Sequence, residues 1–265
     1  MPIPKIFFDN ENRDVYETIF SHVHIIDAHT HLGTDKDGHR LTKLDLTKEM
    51  DRVHVNQAVV FPLDEKKSYN FHKQNDRILQ LHKDQPDRFI PFFRLNPHQQ
   101  WKKEYQLRIM QGFRGIKLHP RSQRFKITST EAMAIYGQAQ DTRLPIILHT
   151  GFGVSEVSEA LMQITKEFPR LKLILGHSAF VELEETAAVA KHNFNILFDT
   201  STLTIFDLLT LLGIVGPDQI AFGSDAPYSS MDVSLQMTID TAILNNLSPS
   251  SIKAILGGNI SKWLR

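Results

Sequence analysis

Eight short apolar runs recur along this chain, each followed by a stretch with helical spacing, and that alternation leaves few folds open. The runs cover residues 25–31, 57–61, 89–94, 115–119, 145–149, 171–177, 196–200 and 220–225. Helical stretches fall at 11–21, 44–53, 69–83, 101–111, 131–141, 182–192, 203–214, 231–245 and 249–264. One more is read directly from spacing. Val157, Leu161, Ile164 and Phe168 stand at i, i+4, i+7 and i+11 before Pro169. Units of roughly 25–35 residues have the length of a βα repeat. Continuous apolar runs, not alternating ones, suit a parallel sheet covered on both faces. Eight such units in 265 residues predict a single-domain, distorted (β/α)8 TIM barrel over residues 1–265. A doubly wound open sheet is the alternative, and the absence of a Gly-x-Gly-x-x-Gly after the first run counts against its dinucleotide-binding form.

Composition narrows the chemistry. Lys plus Arg and Asp plus Glu are 30 each, so no electrostatic footprint for nucleic acid or an anionic membrane is expected. No cysteine is present, which excludes disulfides, thiolate metal sites and a cysteine nucleophile, and makes a reducing cytoplasm the expected location. Residues 1–10 carry Lys5 and no apolar signal-peptide core, and no apolar run approaches the roughly 20 residues that span a bilayer. A homodimer is the default expectation for assembly.

Ionisable residues sit where the runs end. His29 and His31 close the first, Arg94 the third, Lys117 and His119 the fourth, His149 the fifth, His177 the sixth, Asp199 the seventh and Asp225 the eighth. In a barrel these ends open on one mouth, where active sites of this fold lie. His29 and His31 at i and i+2 of a strand share a face, so both imidazoles can reach one ion. With 13 histidines a His-x-His arises about once by chance, and His22 and His24 form a second. The first pair therefore gains meaning only from the other strand ends. His39, His54, His72, His82, His98 and His192 read as solvated surface residues.

The stretches Asp27-Ala28-His29-Thr30-His31, Gly115-Ile116-Lys117-Leu118-His119-Pro120, Leu148-His149-Thr150-Gly151, Leu175-Gly176-His177 and Phe222-Gly223-Ser224-Asp225 resemble the amidohydrolase superfamily. The resemblance is to its amidohydrolase-related, TIM-barrel metal-dependent branch. Leu256-Gly257-Gly258-Asn259 resembles that branch's closing helix, so the likeness spans the chain. It implies that His29, His31, His149 and Asp225 hold one divalent ion, with Asp225 also the proton acceptor and His177 contacting the attacking water or the substrate. In the two-ion form, His149 and His177 hold the second ion and a carboxylated Lys117 bridges the pair. We take the one-ion form, with Lys117, His119 and Arg94 binding an anionic substrate.

Nitrogen and carboxylate donors without sulfur suit zinc, and also manganese, iron or cobalt. An ion with an open position lowers the pKa of water from about 15.7 to about 7, on the order of 12 kcal/mol in favour of hydroxide. Simpler roles compete for some residues. His177 can serve as a hydrogen-bonding core histidine, Asp27 as a backbone brace and Arg121 as a solvated charge. Tyr228 and the loops 33–43 and 151–154 are expected to shape the pocket.

The leading expectation is hydrolysis of a lactone, ester or amide of a small carboxylic acid. A nonoxidative decarboxylase similar to aminocarboxymuconate-semialdehyde decarboxylase is the second, because that type keeps both histidines of His-x-His. A TatD-like metal-dependent DNase comes third, since that group carries a glutamate where Lys117 stands. A non-catalytic, ligand-binding barrel is the remaining alternative.

Overall fold

A computed structural model describes residues 13–65 and 70–264. The reading of residues 1–10 and the first residues of the helices expected at 11 and 69 lie outside them. Among the described residues nine strands form one curled sheet: β1 Ile26–Thr34, β2 Arg40–Leu41, β3 Gln57–Pro62, β4 Phe89–Arg94, β5 Gly115–Leu118, β6 Ile146–His149, β7 Leu173–Gly176, β8 Ile196–Asp199 and β9 Ile220–Ala221. Their order is β2-β1-β3-β4-β5-β6-β7-β8-β9, parallel throughout except for the β1–β2 hairpin. The sheet closes on itself where the chain after β9 meets β1. Ala28 N donates to Phe222 O (2.8 Å), Asp225 N to His29 O (2.8 Å) and His31 N to Ala226 O (3.0 Å). A single parallel bridge, Thr30 with Ala226, stands there in place of a regular ladder. The fold is thus a distorted (β/α)8 barrel.

Strand parity explains both core layers. Ala58, Val60, Phe93, Ile116, Leu118, Leu173, Leu175, Phe198 and Ile220 belong to the large apolar layer that the helices complete. The alternate positions Ile26, Ala28, Val59, Phe61, Ile90, Phe92, Ile147, Ile174, Leu197 and Ala221 form a separate cluster inside the barrel. This is the period-two alternation of strands applied to a sheet buried on both faces. Ile260, from the helix Asn259–Trp263, joins the inner cluster and plugs the end away from the mouth. A π turn at Ala254–Gly258 precedes that helix, and a Cβ on Gly257 would lie 2.3 Å from His24 O. Only glycine allows this approach.

The expected helices are present at nearly the expected bounds, among them Lys43–Arg52, Trp101–Met110, Val157–Glu167 and Met231–Leu244. Three local features differ. The loop 33–43 contains the hairpin return β2, the basic loop after β5 starts with a short helix Pro120–Gln123, and β9 stops at Ala221. None of the described helices is long and apolar enough to cross a membrane.

Candidate active site

Continuing the inner parity two residues past the apolar cluster gives the mouth. From Phe92 it reaches Arg94, from Ile147 His149, from Leu197 Asp199, and Lys117 lies between the outward Ile116 and Leu118. On β1 the register against β3 shifts between Asp27 and Thr30. That irregularity changes the parity, so His29 and His31 turn to the interior after Ala28. His177 and Asp225 are placed differently, by left-handed backbone at φ 67° and 66°. Non-glycine residues adopt that region at a cost of about 1–3 kcal/mol each, typically at functional sites. Ser178 and Ala179 continue the left-handed turn at φ 51° and 52°.

His29 is the centre. It is fully buried, and its Nδ1 lies 2.6 Å from Asp199 Oδ2. The carboxylate accepts the Nδ1 proton, which leaves the Nε2 lone pair facing the mouth. Lys117 Nζ is 3.0 Å from that Nε2, and Asp225 Oδ1 is 3.3 Å from it. Asp199 also receives His177 N (2.9 Å) and both the amide and the hydroxyl of Ser201. Asp27 Oδ1 accepts from His29 N (2.9 Å) and Ser224 N (3.0 Å), bracing the two backbones that carry His29 and Asp225. Glycines give the imidazoles room: a Cβ on Gly223 would lie 3.0 Å from His29 Cβ, and one on Gly151 2.9 Å from the His177 ring.

Donor atoms of His29, His177 and Asp225 lie within 4.8 Å of one another, a group able to hold a divalent ion. His31 borders it, with Nδ1 3.7 Å from Asp225 Oδ1 and 3.1 Å from Ala226 O. His149 stands further out. Its ring is 4.6 Å from His177 and stacks on His119 at 3.8 Å, centroid to centroid. The three-donor group therefore contains two of the four residues expected in the one-ion set, together with His177, while His31 and His149 flank it.

The protonation state of the histidines favours metal binding. Burial pushes the pKa of His29, His31, His119 and His177 well below the usual imidazole value and that of His149 down to about 3. Neutral imidazoles are what a metal requires. Burial raises Asp225 well above the ordinary carboxyl value and Asp27 to about 7. Lys117 is lowered by burial, opposed by Asp199 and Asp225. Its amine rests over the Phe61 ring at 4.6 Å, and the same ring packs at 5.2 Å from His29 and 4.6 Å from His31.

Arg94 is buried at the end of β4, above the Phe71 ring. It donates to Pro62 O (3.2 Å) and Ser122 Oγ (3.3 Å), both neutral, and its Nε has no partner among the described residues. Among the described residues Asp64 is its one carboxylate neighbour, 3.9 Å away. Arg121 lies exposed at the rim over the Phe152 ring (4.9 Å). In the sequence Asp199 stands at a strand end with no role attached, and nothing there marks Ser201. The available signal for Asp199 was parity, because it follows Leu197 by two.

Fold and donors together define a barrel with a His/Asp centre at its mouth. The amidohydrolase family model, Amidohydro_2, matches residues 21–265, and the chain belongs to that family. Comparison with curated proteins finds no match. Among solved structures, the uncharacterized TIM-barrel protein Bb4693 from Bordetella bronchiseptica is similar at TM-score 0.72 and 17% identity, over 91% of this chain and 98% of that one. A dihydroxybenzoic acid decarboxylase from Polaromonas sp. JS666, with manganese and the inhibitor 2-nitroresorcinol bound, gives 0.70 and 16% over 91% and 96%. A probable 2-pyrone-4,6-dicarboxylic acid hydrolase from Acinetobacter baumannii with citric acid bound gives 0.69 and 13% over 91% and 99%. At these identities the likeness concerns the fold.

Proposed function

We propose that this protein is a metal-dependent hydrolase that cleaves a lactone, ester or amide of a small carboxylic acid. The observation that carries the reading is the convergence of His29, His177 and Asp225 within 4.8 Å, with both imidazoles neutral. A divalent ion, zinc by the nitrogen-and-carboxylate donor set, supplies the Lewis acidity that acidifies water and polarises a carbonyl. His29, His31, Asp225 and either His149 or His177 would hold it, and manganese, iron or cobalt would suit the same donors. The pair of crystal structures named above for a manganese-bound decarboxylase and a dicarboxylic acid hydrolase brings both divalent-metal chemistry and small acids into this fold.

Asp225 accepts the proton of the attacking water and returns it to the leaving group. His177, with Nδ1 3.0 Å from Ser201 Oγ and 3.2 Å from Thr202 Oγ1, is the second group able to hold or pass a proton. Lys117 opposes the charge that develops on the carbonyl oxygen. Arg94, desolvated and short of a carboxylate partner, binds the substrate's carboxylate, and His119 beside it adds a donor.

Two measurements test this. Elemental analysis is expected to find at least one divalent ion per chain, lost in the His29→Ala/His31→Ala double variant; an unchanged metal load would reject the ligand set. A panel of lactones, esters and amides of small acids in ¹⁸O-labelled water, with carbon dioxide monitored, separates hydrolysis from lysis. Label in the product supports the hydrolase. Carbon dioxide released without ester or amide cleavage makes the enzyme a decarboxylase, the reading that the decarboxylase neighbour and the Arg94–Lys117 cation pair favour second.

A further inference from the structure

The barrel's closing seam is its least regular part. β9 contributes two ladder residues, and beyond them β1 and the segment 222–226 are joined by three backbone hydrogen bonds and one bridge. His31 lies on one side of that seam and Asp225 on the other. A side-chain bond spans it at the mouth: Tyr228 Oη donates to Asp35 Oδ2 at 2.7 Å.

The two partners come from different segments. Asp35 sits at the tip of the β1–β2 hairpin, where Gly33 pairs with Leu41 and Thr34 with Arg40. Its Oδ1 accepts from Asp37 N (2.9 Å) and His39 N (2.8 Å), which shapes the hairpin turn. The other oxygen takes His39 Nδ1 (3.0 Å) and the tyrosine hydroxyl. The carboxylate is thereby fully engaged and only 7% exposed, although the turn around it is open to solvent. Tyr228 follows Asp225 by three residues, and its amide bonds back to Asp225 O at 2.8 Å. Its ring stands perpendicular to His31 at 5.4 Å and also packs on His39 at 5.0 Å.

We propose that Tyr228 and Asp35 form a clasp across the closing seam that fixes the His31 imidazole and the Asp225 backbone relative to one another, with Tyr228 a positioning residue. A turn-shaping aspartate needs only its Oδ1 contacts. The Oδ2 bond has no local purpose and ties the hairpin to the chain that carries Asp225. The tyrosine contributes twice, its ring limiting the tilt of His31 and its hydroxyl holding the hairpin over that ring. His39 steadies the acceptor. A charge-assisted bond of this kind is about twice as strong as a neutral one, so its loss is expected to loosen the seam locally and leave the barrel folded.

The test uses Tyr228→Phe, which keeps the ring, Asp35→Asn, which keeps the turn acceptor, and the double variant. In chelator-treated protein, amide exchange over residues 31–41 and 222–230 is expected to rise about tenfold in each single variant. The double should show no more than either alone, as coupled partners do. Exchange in β4–β7 should stay at the wild-type rate. Zinc affinity, measured by competition with a chelator, is expected to fall about tenfold in Tyr228→Phe and further in Tyr228→Ala. Unchanged exchange in Tyr228→Phe, additive effects in the double, or exchange raised throughout the barrel would each overturn the clasp. The zinc measurement rests on the proposed metal site, whereas the exchange measurement does not. Wild-type protein that binds no zinc would therefore refute that site and leave the clasp to the exchange result.

Discussion

Asp199 decides which nitrogen of His29 is free. Its 2.6 Å contact fixes the proton on Nδ1, so removing the charge changes both the orientation and the basicity of the imidazole. Asp199→Asn is expected to keep the fold and weaken metal retention by roughly 10–100-fold, and competition with a chelator measures it. Near-wild-type retention would mean that Ser201 or the backbone already fixes the ring. Asp225→Asn should also fold and bind substrate while kcat falls by orders of magnitude, because an amide cannot take the proton; normal turnover would move that task to His177. At this scale much of the candidate site is legible in the sequence. Strand-end position marks His29, His31, Arg94, Lys117, His119, His149, His177, Asp199 and Asp225, because the ends of the apolar runs gather at one mouth. What sequence could not give was the pairing of Asp199 with His29, 170 residues apart. Nor could it show that His119 stacks on His149 and leaves His149 outside the three-donor group.

Elements deliver these residues through strand parity and through deliberate breaks in it. Periodicity revealed the alternation of apolar runs and helices, because an eight-unit repeat leaves a strong signal in continuous apolar stretches. It missed the two-residue β2, whose register depends on a hairpin turn, and it overran β9, which leaves the ladder at Ala221. The left-handed residues His177 and Asp225 are invisible to periodicity, since nothing in a histidine or aspartate announces φ above zero. His177 depends on space as well. An added methyl at Gly151 would lie 2.9 Å from its ring, so Gly151→Ala should displace His177 and lower metal affinity while the rest of the barrel keeps its packing. Thermal unfolding together with metal titration checks this. A variant with unchanged affinity would place His177 outside the ligand set and leave His149 as the third imidazole.

For the whole molecule, the mouth's buried groups set how stability depends on pH. Five histidines there, His29, His31, His119, His149 and His177, have folded pKa values depressed by burial. Each is neutral when folded and free to protonate near 6.5 when unfolded, so its contribution is complete above about pH 6.5 and declines as the pH falls. Asp27 and Asp225 act in the opposite sense. Their raised folded values stabilise the protein below about pH 4, and that contribution is lost as the pH rises, through about 7 for Asp27. Between about pH 4 and 6.5 unfolding thus takes up protons at five sites and releases them at two, and acidification destabilises on balance. Lys117, depressed by burial, extends the trend above neutrality, because its unfolded form binds a proton up to about pH 10.4. Each net proton is worth about 1.4 kcal/mol per pH unit at most. Chelator-treated protein is therefore expected to lose melting temperature steadily from about pH 7.5 to about pH 5.5. His149→Asn, which deletes one of the five sites, should make that decline shallower. A melting temperature that stays flat across the range, or a decline equally steep in the variant, would show that the mouth histidines already exchange protons with solvent in the folded state.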